Sequence, residues 1–190
     1  MTIQAGLRRF AMVGALAALA VGPGVAATPA AAGAKAPTCS GEMRPGRIVI
    51  VRGMPEATKA TARAILRDAV RCNSKALITR AENDTTRLSF GIVTAKDFFA
   101  LPDKDQKYRN LVDAMVKTRP GYEKITGSYI WPRVAAGDAY LDRTAWNEAV
   151  AAGLISRKEA DRALRAGDGY LGWRVWVNAD GNWDIFVAGD

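Results

Sequence analysis

The sequence predicts an α+β fold: a small mixed or antiparallel sheet, two longer helices, a short helical pair and a tryptophan-rich C-terminal β-hairpin. Three patterns predict it. Residues 173–187 alternate apolar and polar side chains on either side of Asp180-Gly181, as two half-buried strands and a turn do. Ala62, Ile65, Leu66, Ala69, Cys72 and Ala76 recur at helical spacing and share one face. Asp142, and Ser156 paired with Glu159, are helix-opening signals, and Gly153 and Gly167 are the matching stops.

The first 32 residues stand apart from this pattern. Arg8 and Arg9, with no acid nearby, precede an apolar run over residues 11–21 and then a stretch of small residues, which is the build of a secretory signal. The run is too short to cross a bilayer. Cleavage is expected after Ala27 or Ala32, leaving residues 33–190 as a single domain in the periplasm or secreted space, with no transmembrane segment. Cys39 and Cys72 are the only cysteines, and an exported chain meets an oxidising compartment, so a Cys39–Cys72 disulfide is expected.

In chain order, the β-branched run 47–52 reads as a strand buried on both faces. Pro55 suits the first turn of a helix that continues to about Asn73. Along that helix Lys59, Arg63, Arg67, Arg71 and Lys75 recur every fourth residue, forming a basic row that could hold a polyanion. Residues 76–81 and 87–94 read as two further strands around a Glu82-Asn83-Asp84 turn, giving at least three strands before residue 95. Phe98, Phe99 and Leu101 supply an apolar cluster. A second long helix is expected from Pro102 to about Thr118, with Leu111, Val112, Met115 and Val116 inward and Pro120-Gly121 ending it.

All five tryptophans lie beyond residue 130, and no linker separates them from what precedes. In the closing hairpin a three-residue loop, Ala179-Asp180-Gly181, pairs Val177 with Trp183 and Val175 with Ile185. That register places Trp173, Val175, Val177, Trp183, Ile185 and Val187 on one face. Arg174, Trp176, Asn178, Asp184 and Phe186 then occupy the other. Together with Tyr129 and Trp131, the residues Arg174, Trp176 and Phe186 are the candidate ligand-binding surface.

Charge is uneven. Residues 33–133 hold 19 basic and 10 acidic side chains, a surplus of +9, whereas residues 134–190 hold 6 and 9, or −3. Outside the cytoplasm such polarity suits an envelope glycan or an acidic protein rather than nucleic acid. The chain has no histidine, which removes Ser-His and Cys-His nucleophile pairs and the commonest zinc ligand. It carries no phosphate-binding or dinucleotide glycine motif, so no cofactor or metal is expected.

Catalysis has one candidate group, Asp138, Asp142 and Glu148 among Trp131, Tyr140 and Trp146, carboxylates and aromatic faces of the kind that cleave glycosidic bonds. The residues therefore point first to an exported, non-catalytic binding module of the envelope or secreted space that recognises a glycan or protein partner. A carboxylate-dependent glycan hydrolase, and a structural domain docking an acidic partner through its basic helix, are the alternatives.

Overall fold

Helices begin where a side chain can stand in for a missing backbone partner, and this chain shows that repeatedly. The structure, a computed structural model, describes residues 38–189 apart from Met43 and Pro45. The expected leader lies outside the described residues. Helix α1 (Glu56–Val70) follows Pro55 and buries Ala62, Ile65, Leu66 and Ala69. It ends at Arg71, and Cys72 then turns the chain with φ of 53°. The disulfide Cys39–Cys72 closes here, with Cα atoms 5.7 Å apart, tying the incoming chain to the end of α1.

Residues 76–81 are not a strand. The Asn73 side chain accepts the Ala76 N–H and starts helix α2 (Ser74–Asn83), which buries Leu77 and Ala81 one turn apart. Thr94 opens the short α3 (Ala95–Ala100), with Phe98 and Phe99 inward. The expected helix from Pro102 breaks at Gln106, whose φ is 52°, into a 3-10 turn (Asp103–Asp105) and α4 (Lys107–Lys117). Leu111, Val112 and Met115 are fully buried there.

Among the described residues no strand precedes Gly121. The sheet is β1 (Gly121–Glu123), β2 (Ser128–Trp131), β3 (Arg174–Asn178) and β4 (Trp183–Val187), antiparallel throughout and in that order. Gly121 is required at its edge, because a Cβ there would lie 2.5 Å from that of Ala136. The run 47–52 forms no ladder. Val49 donates instead to the Met115 carbonyl in the last turn of α4, and its own carbonyl accepts the Trp131 indole. Nor is it buried on both faces, since Ile48 is buried and Ile50 exposed. Residues 87–94 reduce to one parallel bridge, Arg87 with Ile185.

The closing hairpin keeps the expected three-residue loop. Asn178 pairs with Asn182, Val177 with Trp183, and Gly181 takes φ of 93°. Beyond that pair the expectation fails. Asp184 is an extra residue, so Trp176 faces Ile185, and Val175 faces Phe186. Phe186 thereby joins Val175, Val177 and Trp183 in the core, while Ile185 moves to the half-buried outer face and Trp173 is only half-buried. The bulge has visible causes. Arg87 donates its N–H to the Asp184 carbonyl and accepts the Phe186 N–H, and the Asp184 carboxylate accepts Ser128 Oγ at 3.0 Å and Asn178 Nδ2 at 3.1 Å.

The main core unites α1, α2, α3 and α4 with the inner sheet face, and a second cluster joins α5 (Arg143–Ala151) and α6 (Arg157–Ala166) around Val134, Trp146 and Tyr170. Asp142 caps α5, and Ser156 with Glu159 form the full capping box of α6. The hairpin tip is held on α1 by two threonines, Thr58 Oγ1 donating to the Asn178 carbonyl at 2.8 Å and Thr61 Oγ1 to that of Gly181 at 2.6 Å. All described residues belong to one compact unit.

Candidate binding surface

The surface expected from sequence is divided by the fold. Trp131 and Phe186 are fully buried and Tyr129 is buried, with its hydroxyl donating to the Gly53 carbonyl at 3.2 Å. Burial, reinforced by Tyr122, pushes the Tyr129 hydroxyl above its ordinary range. These three side chains build the core, Tyr129 and Trp131 from β2 and Phe186 from β4. Trp176 stays on the outer face, half-buried, with an indole N–H that meets no partner among the described residues. Asn178 lies two residues along on the same face, its amide donating to Asp184. Desolvation raises the Asp184 carboxyl, with Asp84 adding to the effect.

Arg174 alone moves to a new aromatic site. Its guanidinium donates to the carbonyls of Tyr170, Gly172 and Gly189, and lies 5.4 Å from the centre of the Phe90 ring. Beside it opens a hollow of about 680 Å³ lined by Phe90, Val93, Phe98, Leu101 and Trp173, with Asp105 at the rim. Phe90, Val93 and Leu101 are 48%, 40% and 59% exposed. Leu101 thus leaves the apolar cluster in which the sequence placed it.

Aromatic rings pack behind this hollow. Trp173 packs on Phe186 at 4.9 Å between ring centres, and Phe98 meets the same ring edge-on at 6.0 Å. Lys107, buried beneath, donates to the Leu101 carbonyl at 2.5 Å and sits 5.7 Å from the Phe98 ring centre. Burial lowers its pKa, against the opposing pull of Asp103 and Asp105. Sequence reasoning missed Phe90 and Val93 because they were assigned to a strand. The signal in the sequence is the set Leu88, Phe90, Ile92 and Val93, interrupted by Ser89 and Gly91.

Two members of the carboxylate group are held in ion pairs and the third stands apart. Arg133 bridges two of its members, donating to Asp142 at 2.7 Å and to Glu148 at 3.1 Å. Asp142 also caps α5, and the Arg133 hydrogen bond, with the Thr144 N–H, holds its carboxyl below the ordinary range. Asp138 is exposed on a separate 3-10 turn. For Asp142, a carboxyl held as the anion is the opposite of what a general acid needs.

The basic row also divides. Lys59, Arg63 and Arg67 lie on α1 and Arg71 caps its end, but the turn at Cys72 places Lys75 on α2. Lys75 joins Arg67 and Arg80 around a polar hollow of about 460 Å³ between α1 and α2. Lys59 pairs with Glu56 at 2.6 Å, and Arg67 with the buried Asp68 at 3.2 Å. Among the described residues no group of three or more His, Cys, Asp or Glu side chains is arranged to hold a metal ion, and no helix is long and apolar enough to cross a membrane. Comparison with protein-family models, with curated proteins and with solved structures gives no match.

Proposed function

We propose that the protein is a non-catalytic binding domain that works outside the cytoplasm and holds a protein partner at the hollow beside Arg174. One observation carries this reading: Phe90, Val93 and Leu101 stand exposed around a single hollow that is also lined by Trp173 and Phe98, both packed on the Phe186 ring. Contiguous exposed apolar side chains are costly unless a partner covers them. The lining offers few polar groups besides Ser89 and Asp105, which suits an aliphatic or aromatic anchor from a protein. Arg174, held by three carbonyls, fixes the Phe90 ring at the rim. The leader pattern and the Cys39–Cys72 disulfide support export.

The test is capture from envelope extracts on the immobilised chain, comparing Leu101→Asp and Phe90→Ala with the unaltered protein. Both variants are expected to lose the partner, by about tenfold or more in affinity, with thermal unfolding unchanged. A partner retained undiminished by Leu101→Asp would refute the reading. A glycan ligand is the second reading, supported by half-exposed Trp176 beside Asn178 on the outer sheet face. It predicts a glycan-array signal that Trp176→Ala abolishes while protein capture persists.

A further inference from the structure

We infer that a second groove, away from the aromatic hollow and independent of the reading above, binds a single-chain anionic amphiphile: an alkyl chain ending in a carboxylate or phosphate. The groove lies between the extended segment 46–50 and α1 and measures about 480 Å³. Ile48, Ile50, Leu66 and Val70 line its apolar part, and Arg44, Arg47, Arg63 and Arg67 its polar part, with no acidic side chain in the lining.

Neighbouring acids do not cancel this charge. Arg44 pairs with Asp113 at 3.0 Å, but Arg109 and Lys117 share that same buried carboxylate, so three cations meet one anion. Arg63 lies 4.0 Å from Glu56, whose side chain is exposed and is already bonded to Lys59. Arg67 is matched by Asp68. Arg47 is exposed and makes no side-chain ion pair among the described residues.

The lining also selects the ligand's body. It contains no aromatic ring on which a sugar or base could stack, only branched aliphatic side chains, with Ile50 38% exposed at the mouth. The volume falls in the range of small-ligand sites. Guanidinium groups give paired hydrogen bonds to a carboxylate or phosphate head, and the aliphatic floor shields a chain from water.

The full chain is titrated by calorimetry with laurate and with monododecyl phosphate, each below its micelle-forming concentration and at physiological salt. Dodecyl maltoside supplies the chain without the charge, and inorganic phosphate the charge without the chain. The anionic amphiphiles are expected to bind in a 1:1 ratio, with both controls about tenfold weaker or worse. Arg47→Gln with Arg63→Gln spares the Arg67–Asp68 pair and is expected to weaken laurate about tenfold at unchanged thermal midpoint, as is Ile50→Asp alone. Dodecyl maltoside or inorganic phosphate binding as well as laurate, or laurate affinity untouched by the arginine pair, overturns the inference. Should the double variant not fold, Arg47→Gln alone decides by the same comparison.

Discussion

The disulfide offers the most direct quantitative test, because it joins stability to the shape of the arginine groove. Cys39 and Cys72 are separated by 33 residues. In the chain-entropy model a closed loop of that length lowers the entropy of the unfolded chain by about 12.5 cal/mol/K, or about 3.7 kcal/mol at 25 °C. Substituting both cysteines by alanine introduces no buried polar atom at Cys39, which is buried. Equilibrium urea unfolding of Cys39→Ala/Cys72→Ala against the oxidised protein should therefore show a loss of about 3 to 4 kcal/mol. The urea dependence should also steepen, since an unbridged denatured chain exposes more surface. The groove responds as well: Arg44, Arg47 and Ile48 follow Cys39 directly, so laurate affinity should fall in the same variant. A loss below about 1 kcal/mol with an unchanged urea slope would refute the reasoning, because the bridge would then constrain nothing that the core does not already constrain.

Two further predictions concern the hairpin. Thr58→Val and Thr61→Val keep the side-chain shape but remove the hydrogen bonds to the Asn178 and Gly181 carbonyls, and each is expected to cost about 1 kcal/mol in urea unfolding. Asp184 supplies a pH signature: desolvation raises its folded-state pKa, so the folded protein holds that proton longer than the unfolded chain does. Stability from this group is therefore lost as pH rises from the ordinary carboxyl range through the folded value. Asp184→Asn should flatten that fall, and a difference between variant and parent that does not change with pH would exclude it.

Local signals were legible and partners were not. Asp142, the Ser156–Glu159 box and Gly167 fix α5 and α6 from within a few residues, and the structure places both helices within a residue of expectation. The runs 47–52 and 76–81 were misread for different reasons. The first has strand composition, but α4 and Trp131 take the backbone groups of Val49 that a neighbouring strand would need. The second is too short for its period to separate helix from strand, and Asn73 was the cap signal that decides it. β2 escaped notice because all four of its residues are buried, leaving no alternation to read.

One extra residue decides which way Phe186 faces. Loop length and the Val177–Trp183 pair could be derived from the hairpin alone, but the bulge at Asp184 is imposed by Arg87, Ser128 and Asn178, two of which are distant in sequence. A one-residue shift exchanges the faces of everything beyond it, so Phe186 turned inward and its ring became the floor beneath Trp173 and Phe98. Pairing of the segment 87–94 with β4 ends at the single Arg87 bridge. Leu88 still reaches the core, but Phe90 and Val93 face solvent around a hollow that Trp173 and Phe98 also line. The bulge thus accounts for the burial of Phe186, whereas Tyr129 and Trp131 are buried on β2 independently of it. Deleting Asp184 should therefore perturb partner capture at Leu101 more than glycan binding at Trp176.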